Sequence, residues 1–322
     1  MLTPLRLVVM GTGPFAVPTL RALYRTPHTL AALVTQPARR GAGKPPPPSP
    51  MRSLAVEQGT PVFDPESINS EEARTELKRL SPDLFVVADY GQILRPETLG
   101  IARLGGVNLH GSLLPAYRGA SPINWAIYYG ETESGVTVIH MSPRIDAGPC
   151  LAQARLTIDP DETAVELETR LAELGAPLIC ETIEKLAASQ AQPLAQDPAL
   201  ATKAPRLKKS DGAIDWSRSA MEIKNQIRAL EPWPRTYTYW ERLGHEPLRL
   251  ILGRVTASAG ETKPLPGTVV SAQGSELIVS AGQSSLLRIE SLQPAGKRML
   301  PVKEFLRGYP VQPGDRFCNL DL

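Results

Sequence analysis

The sequence predicts an α/β protein in which an open, mostly parallel sheet is followed by a small β-barrel domain. Short aliphatic and β-branched runs alternate with helix-like segments over residues 1–189, which is the pattern of strand–helix–strand units. Residues 190–209 are instead rich in Ala, Gln, Pro and Lys and have no clear periodicity. Short alternating strands between Gly, Pro and Ser turns then fill residues 210–322 and indicate a small barrel. We therefore expect two domains joined by a linker over 190–209.

The N-terminal domain is predicted from hydrophobic runs and helical periodicity, in chain order. The first segment is predicted as a strand and the second as a helix. The alternating segments are LRLVVMG, PFAVPTLRALYR, LAALVTQ, PMRSLAVEQG, PVFD, EEARTELKRL, DLFVVADY, GGVNLH, SPINWAIYYG and GVTVIHM. Residues 163–188 have helical spacing throughout and close the domain as one long amphipathic helix, which Gly175–Pro177 could interrupt.

The C-terminal domain is predicted to begin with a helix and to continue as strands. The segment DWSRSAMEIKNQIRAL has helical spacing and ends at a Pro-Trp-Pro sequence. The predicted strands after it are TYTYW, LRLILGRV, GTVVSA, ELIVSA and SLLRIESL. Several short strands of this kind are typical of a closed or nearly closed barrel.

Composition excludes several classes of protein. The chain has 322 residues and no apolar run near the roughly 20 residues that span a bilayer. Its first apolar segment is too short for a signal peptide. Cys150, Cys180 and Cys318 are widely spaced and odd in number, which favours a reducing cytoplasm over a disulfide framework. They form no C-x-x-C pattern, and the histidines form no H-x-x-x-H pattern, so we expect no metal.

Positive charge is concentrated in two stretches although the net charge is only +2. Seven basic residues precede the first acidic residue, Glu57, namely Arg6, Arg21, Arg25, Arg39, Arg40, Lys44 and Arg52. The second stretch consists of Lys203, Arg206, Lys208 and Lys209. Local clusters on a mildly charged protein indicate a polyanion bound at defined places. Ordinary solvated surface is the alternative interpretation, and the charge pattern alone leaves it open.

The segment GGVNLHGSLLPAYRG, over Gly105–Gly119, contains the strongest candidate for chemistry. Asn108 and His110 are two residues apart at the end of a predicted buried strand, so their side chains point to the same face. An amide N–H and an imidazolium N–H aimed at one point can stabilise an oxyanion. A capped strand end is the structural alternative for an isolated Asn-x-His pair.

A third polar residue makes the catalytic interpretation the stronger one. Asp146 follows the strand-like run GVTVIHM, and we place it with Asn108 and His110 at the carboxyl ends of neighbouring strands. A carboxylate there could orient the His110 ring or take a proton from a nucleophile. Amide, imidazole and carboxylate together suit acyl transfer to an amine, and this chemistry needs no serine or cysteine nucleophile.

These residues resemble a known family. Asn-x-His followed by SLLPAYRG, with a downstream Ile-Asp-Ala-Gly turn, is similar to the 10-formyltetrahydrofolate-dependent formyltransferases. Further blocks resemble the branch of this family that formylates methionyl-tRNA, and they cover almost the whole chain: TQP, PSP, YGQIL, IDWS, PWP and SLQPAGK. The resemblance implies a Rossmann-like catalytic domain over 1–189 and an OB-like barrel over 210–322 that contacts tRNA.

The resemblance also implies the reaction and its participants. The enzyme would transfer a formyl group from 10-formyltetrahydrofolate to the α-amino group of initiator methionyl-tRNA, for translation initiation. Asn108, His110 and Asp146 would be catalytic. The folate co-substrate would lie along two stretches of the chain, Ser112, Leu113, Leu114 and Pro115 in one and Ala88, Asp89 and Tyr90 in the other. We expect a cytoplasmic monomer.

The proline-rich basic loop Gln36–Pro50 is predicted to enter the tRNA acceptor stem, because the matching loop of the family does so. Its candidate contacts are Arg39, Arg40 and Lys44, and the second basic stretch adds Lys203, Arg206, Lys208 and Lys209. The loop departs from the family pattern at Ala38–Lys44 and is slightly shorter, so the identity of its key basic residue is open. A second departure is Pro149, where the family more often has an acid.

Several alternatives compete with this interpretation. GTGPFA after the first strand resembles a dinucleotide fingerprint, but a lone G-x-G-x-x-A is a weak signal. His140 alternates with buried positions in a strand and is more often structural than catalytic. Four aromatic residues, Trp233, Tyr237, Tyr239 and Trp240, could stack nucleotides or pack in the barrel core. A related formyltransferase with another acceptor, a folate hydrolase and a tRNA-binding module without catalysis are the other functions to test.

Overall fold

The protein is described by a computed structural model over residues 4–37, 49–242, 244–260 and 264–319. The predicted tRNA contacts Arg39, Arg40 and Lys44 lie outside these described residues. Among the described residues, no helix combines the length and the apolar composition that crossing a bilayer requires.

Nine strands and six α-helices form in the described residues of the N-terminal part of the chain. The strands are β1 (Arg6–Met10), β2 (Thr29–Val34), β3 (Val62–Phe63), β4 (Leu84–Val87), β5 (Gly106–His110), β6 (Arg118–Gly119), β7 (Glu133–His140), β8 (Cys150–Thr157) and β9 (Lys203–Ala204). The helices are α1 (Val17–Leu23), α2 (Pro50–Glu57), α3 (Glu71–Leu80), α4 (Pro96–Leu99), α5 (Pro122–Tyr128) and α6 (Ala164–Ala187).

Seven of these strands form one mixed sheet in the order β3-β2-β1-β4-β5-β7-β8. The pairs from β3 to β5 are all parallel, whereas β7 is antiparallel to both β5 and β8. Strand β4 and all of β1 after Arg6 are hydrophobic and buried, which is typical of strands covered by helices on both faces. The predicted mostly parallel α/β sheet is therefore confirmed. Strand β8 is not among the predicted strands, because exposed and partly buried residues alternate along it and its sequence has no continuous hydrophobic run.

The C-terminal part of the chain is a helix followed by antiparallel sheets. Its elements are α7 (Ala220–Ala229), β10 (Thr236–Arg242), β11 (His245–Leu252), β12 (Val255–Ala259), β13 (Val269–Gln273), β14 (Glu276–Ala281), β15 (Ser285–Ile289), β16 (Ser291–Pro294), β17 (Leu300–Pro301), α8 (Val302–Gly308) and β18 (Phe317–Cys318). One sheet has the order β17-β16-β11-β10-β18 and the other β12-β15-β14-β13. The predicted C-terminal β region is confirmed, and its core includes the buried Trp216, Trp240, Phe305 and Phe317.

The two compact units of the structure do not follow chain order throughout. One unit contains the described residues up to 123 together with Glu133–Ile158 and Glu166–Pro205. The other contains Asn124–Thr132, Asp159–Val165 and the described residues from Arg206 onward. Residues 190–205, which the sequence placed in a linker, thus belong to the first unit. Helix α6 continues through Pro177 without a break.

A buried arginine explains why residues 159–165 belong to the C-terminal unit. The Arg228 guanidinium donates to the Glu162 carbonyl at 3.0 Å and to the Asn225 side-chain oxygen at 2.9 Å. Lys224, one turn before Arg228 on α7, forms an ion pair with Asp161. A guanidinium that is only 9% exposed needs such acceptors, since an unpaired buried charge is strongly destabilising.

His28 gives the stability of the first unit a defined dependence on pH. Its side chain is fully buried, and its Nδ1 accepts a hydrogen bond from the Leu5 backbone N–H at 3.1 Å. Burial lowers the pKa of His28 below its ordinary value of 6.5, and Glu184 on α6 only partly opposes this. The unfolded chain therefore binds the proton more readily than the folded one. Stability must fall as the pH drops below 6.5 towards the lower folded-state pKa.

We expect His28→Gln to reduce this dependence. The free energy of unfolding, measured in urea between pH 5 and 7.5, should have a smaller slope against pH in the variant than in the unmodified protein. His245→Asn serves as a control because His245 is exposed, and it should leave the slope unchanged. An unchanged slope in His28→Gln would contradict the assignment of this pH dependence to His28.

Candidate active site

Two polar side chains leave the same face of the interior strand β5. Asn108 and His110 are two residues apart on β5, which lies between β4 and β7. His110 is only 6% exposed and Asn108 is half-buried. The alternation of a β-strand accounts for their common direction, as the sequence predicts.

Asp146 faces both of these side chains across a loop. Its Oδ1 lies 3.5 Å from Asn108 Nδ2, and its Oδ2 lies 3.7 Å from His110 Nδ1. Oδ2 also accepts a hydrogen bond from the Gly119 backbone N–H at 2.9 Å. The carboxylate is 12% exposed and therefore little screened by water. The structure thus brings together the three residues that the sequence predicted to be catalytic.

The route by which Asp146 reaches the site differs from the prediction. The sequence placed it at the carboxyl edge of the sheet with His110, but β7 is antiparallel to β5 and pairs His140 with Val107. The end of β7 therefore lies beside the start of β5, and the prediction is wrong on this point. The loop between β7 and β8 instead carries Asp146 back towards Asn108 and His110.

The proton arrangement on His110 is set by a backbone carbonyl. Nε2 lies 2.9 Å from the Tyr117 carbonyl oxygen, which can only accept, so Nε2 carries the hydrogen in the neutral ring. Nδ1 is then the basic nitrogen, and it faces the Asp146 carboxylate. A proton taken up at Nδ1 would produce an imidazolium beside a negative charge, which is a favourable pair.

These contacts define what the site can do. The distance of 3.5 Å between Asn108 Nδ2 and Asp146 is longer than an ordinary N–H···O hydrogen bond, so the amide N–H can be given to a substrate oxygen. His110 Nδ1 can accept a proton, and Asp146 can stabilise the charge that results. Together these groups suit the attack of an amine on a carbonyl, in which an oxyanion forms and a proton leaves.

The predicted folate segment Ala88–Tyr90 lies at the same edge of the sheet as His110. It follows β4, which is parallel to β5 and pairs Val87 with Asn108. The Asp89 carbonyl accepts a hydrogen bond from the Thr12 backbone N–H at 3.0 Å. The Tyr90 carbonyl accepts one from the Gln36 side-chain amide at 2.9 Å. The Tyr90 ring is buried in the core, so this residue presents only main chain to the edge.

The second predicted folate segment, Ser112–Pro115, is held by a buried network. The Thr137 hydroxyl donates to the Ser112 carbonyl at 2.7 Å and accepts from the Leu114 N–H at 3.0 Å. The Gln153 side-chain amide donates to the Leu114 carbonyl at 2.7 Å. Leu114 is buried, whereas Leu113 and Pro115 are partly exposed. The loop is thereby fixed by two residues that sequence reasoning did not single out.

The glycine turn after β1 is closed by a carboxylate. A Cβ on Gly13 would lie 1.8 Å from the Asp89 carboxylate oxygen, so a larger residue at this position would displace the Asp89 side chain. The Asp89 carboxyl group loses part of its hydration at the turn, and this raises its pKa to about 6. The Gly13 N–H partly opposes the shift, and the residue as a whole stays exposed. Glu168 accepts from the Phe15 N–H at the same turn, and its pKa is also raised, by burial and by Asp89. Two carboxyl groups at the turn disfavour a pyrophosphate, which weakens the dinucleotide interpretation.

The other candidate residues have varied surroundings. His140 Nε2 lies 3.0 Å from the Leu104 carbonyl oxygen, which fits a structural role. Of the aromatic residues, Trp240 packs in the core of the C-terminal unit whereas Trp233 is 50% exposed. The predicted tRNA contacts Lys203, Arg206, Lys208 and Lys209 are all exposed. Within the described residues, no three His, Cys, Asp or Glu side chains are grouped to hold a metal ion.

Sequence reasoning missed Gln196, which contacts the site from the predicted linker. Its side-chain amide N–H donates to the Asp146 carbonyl at 2.8 Å and to the Gly148 carbonyl at 2.7 Å. Its side-chain oxygen accepts from the Arg118 guanidinium at 2.6 Å. Arg118 therefore holds the Gln196 side chain in place. No periodicity or motif in the sequence marks Gln196.

Comparison with known families finds two matches that together span most of the chain. A formyl transferase family model matches residues 5–183, and a model of the formyl transferase C-terminal domain matches residues 206–310. The first match contains Asn108, His110 and Asp146, and the second contains the strands β10 to β17 of the antiparallel sheets.

Similar proteins cover almost the full length of this chain. A methionyl-tRNA formyltransferase of Moorella thermoacetica is 45% identical over 312 residues, which is 97% of this chain and 98% of that protein. One from Geobacter sulfurreducens is 42% identical over 97% of this chain and 96% of that protein. Among solved structures, an N-formyltransferase of Helicobacter canadensis in complex with folinic acid and dTDP-3-aminofucose has a TM-score of 0.66 at 18% identity, over 88% of this chain and 98% of that one.

Proposed function

Because the chain belongs to the methionyl-tRNA formyltransferase family, we propose that it transfers a formyl group from 10-formyltetrahydrofolate to the α-amino group of initiator methionyl-tRNA. One observation carries the assignment of the chemistry. Asn108 Nδ2 and His110 Nδ1 face the same carboxylate, Asp146, at distances of 3.5 Å and 3.7 Å. This places a hydrogen-bond donor, a base and a negative charge around one point.

Asn108 stabilises the charge that develops on the formyl oxygen. When the neutral amine of the methionyl group attacks the formyl carbon, the carbonyl oxygen becomes an oxyanion. The Asn108 amide N–H donates to it, and this hydrogen bond strengthens as the charge grows. The direction of the side chain is set by β5, which lies between β4 and β7 in the sheet.

His110 moves the proton that the reaction must relocate. The attacking nitrogen becomes positively charged and gives its proton to His110 Nδ1, while the Tyr117 carbonyl holds the other ring nitrogen. Asp146 stabilises the resulting imidazolium, which in turn favours the nearby oxyanion. When the bond between the formyl carbon and the folate nitrogen breaks, the proton passes from His110 to that nitrogen. The products are N-formylmethionyl-tRNA and tetrahydrofolate.

The folate would bind along the edge that carries the catalytic side chains. Support comes from the adjacency of β4 and β5, which puts Ala88–Tyr90 next to the end of the Asn108 strand. Leu113 and Pro115, which follow His110 along the chain, offer partly exposed apolar surface. The similar Helicobacter canadensis protein binds folinic acid, a related folate, and this supports the choice of co-substrate.

The exposed cations at Arg206, Lys208 and Lys209 would bind the phosphates of the tRNA. Replacing all three with alanine should raise the KM for methionyl-tRNA about tenfold and leave the KM for the folate unchanged. The slope of log(kcat/KM) against log salt concentration should fall by about 2 to 3, since each phosphate contact contributes about 1. Steady-state kinetics at 50–300 mM salt measure both quantities.

A control variant with the same loss of charge separates phosphate binding from a general effect of net charge. Arg74, Lys78 and Arg79 lie on the surface helix α3, and replacing these three with alanine should not change the salt slope. Equal slopes in the two triple variants would contradict the role given to Arg206, Lys208 and Lys209.

The identity of the acceptor is tested by direct comparison. The protein is incubated with 10-formyltetrahydrofolate and with charged initiator methionyl-tRNA, charged elongator methionyl-tRNA or free methionine. We expect transfer to the initiator tRNA alone. Consumption of the folate without transfer to any of the three would instead indicate another acceptor or hydrolysis. The cytoplasmic location, the monomeric state and the absence of a metal stay predictions.

A further inference from the structure

Residues 194–204, here called the strap, cross the loops that surround His110. At one end, Leu194 exchanges two backbone hydrogen bonds of 2.8 Å with Cys150, the first residue of β8. At the other end, β9 pairs in parallel with β6, which contains Arg118 and Gly119. Both ends are therefore fixed by backbone pairing, although the sequence of the strap is that of a linker.

The strap contacts two residues whose backbone is in an uncommon conformation. Tyr117 has φ +61° and Asp146 has φ +50°, in the left-handed region that residues other than glycine rarely adopt. Both residues contact His110, Tyr117 through its carbonyl and Asp146 through its carboxylate. Backbone in this region persists only where its surroundings hold it there.

The strap supplies a hydrogen bond to each of these two residues. The Thr202 hydroxyl accepts from the Tyr117 N–H at 2.8 Å. The Gln196 amide N–H donates to the Asp146 carbonyl at 2.8 Å and to the Gly148 carbonyl at 2.7 Å, which fixes the loop on both sides of its turn. Arg118 holds the Gln196 side chain from the opposite direction, at 2.6 Å.

We infer that Gln196 is a positioning residue for the transfer reaction, which holds Asp146 at the distance from His110 and Asn108 that proton transfer requires. This inference rests on the proposed function. The Asp146 carboxylate is fixed by the Gly119 N–H at its far end and by Gln196 at its main chain. Without the second tether the loop can rotate about Asp146, and the carboxylate moves away from His110. A misplacement of about 1 Å at such a contact can reduce turnover about 10²-fold.

Two substitutions separate positioning from a general loss of structure. Gln196→Glu keeps an acceptor for Arg118 and makes that pair an ion pair, but it removes the N–H groups that hold the Asp146 and Gly148 carbonyls. Gln196→Ala removes both kinds of contact. If the residue only secured the strap through Arg118, the Glu variant would behave like the unmodified protein. If it positions Asp146, both variants lose turnover.

Gln293 provides a matched control in the C-terminal unit. Its side-chain oxygen accepts from Arg235 at 2.8 Å and its amide N–H donates to the Lys297 carbonyl at 2.6 Å, so Gln293→Ala removes the same kinds of bond. For each variant, single-turnover formyl transfer to initiator methionyl-tRNA is measured at saturating folate and tRNA. The KM for both substrates and the thermal midpoint are measured alongside.

We expect Gln196→Glu and Gln196→Ala to lower the single-turnover rate by about 10- to 100-fold, with both KM values within about threefold of the unmodified protein. Gln293→Ala should keep the unmodified rate. A Gln196→Glu rate equal to that of the unmodified protein, or a loss no greater than that in Gln293→Ala, would reject the positioning role alone. Absence of transfer by the unmodified protein would reject the proposed function and this inference with it.

Discussion

Replacing His110 with alanine should lower the kcat of formyl transfer by about 10²- to 10⁴-fold, which is the range for loss of a general acid–base residue. His110 is the group in the site that can both take a proton from the amine and return one to the folate nitrogen. Its Nδ1 faces Asp146 at 3.7 Å and its Nε2 is held by the Tyr117 carbonyl, so the ring is fixed with its basic nitrogen towards the carboxylate. Steady-state kinetics at saturating folate and methionyl-tRNA measure the effect.

His140 is a close control for this substitution. Its Nε2 also contacts a backbone carbonyl, that of Leu104 at 3.0 Å, and it also lies on a strand of the same sheet. Removing a histidine with this structural contact should change kcat by less than about threefold, because the residue does not reach the reacting atoms. A His110→Ala variant that folds normally and keeps more than a tenth of the unmodified kcat would refute the proton-transfer role.

Asn108→Ala should lower kcat by about 10²- to 10³-fold, which is the usual cost of removing one hydrogen-bond donor to an oxyanion. The KM for the folate should change little, because the hydrogen bond is strongest in the transition state and weak in the bound substrate. Single-turnover rates measured with saturating methionyl-tRNA isolate the chemical step. This readout is needed because product release can otherwise hide a slower chemical step.

Asn69 tests whether the loss of any partly buried, hydrogen-bonded amide has this effect. Its side chain donates to the Ile93 carbonyl at 2.8 Å and accepts from the Arg95 N–H at 2.9 Å, so it fixes a loop in the same unit. Asn69→Ala should lower the thermal midpoint and keep the rate of the chemical step. If Asn108→Ala instead retained more than a tenth of the single-turnover rate with its fold intact, Asn108 would not be the oxyanion donor.

The strand that carries the site was predictable because its pattern is local. A hydrophobic run with Asn108 and His110 two residues apart specifies a strand and a common face at once. The same argument failed for Asp146, because it assumed that neighbouring strands run in the same direction. Whether β7 pairs parallel or antiparallel with β5 depends on the path of the chain between the two strands, and no local sequence pattern specifies that path.

Gln196 shows a second limit of sequence reasoning. The composition of residues 190–205 is that of a linker, yet Leu194 and Lys203–Ala204 pair with other segments through their backbones. Backbone pairing of one or two residues needs no hydrophobic side chain, so it leaves no periodicity to detect. Strand β8 was overlooked for a related reason, since its exposed positions interrupt the hydrophobic run.

The most direct test of the account follows the formyl group itself. Purified protein is mixed in a single turnover with 10-formyltetrahydrofolate labelled in the formyl carbon and an excess of charged initiator methionyl-tRNA, and the products are separated. The account predicts that the label leaves the folate at the same rate at which it appears as N-formylmethionine on the tRNA, with one formyl group transferred per folate consumed. Label recovered as formate, with none on the α-amino group, would contradict it.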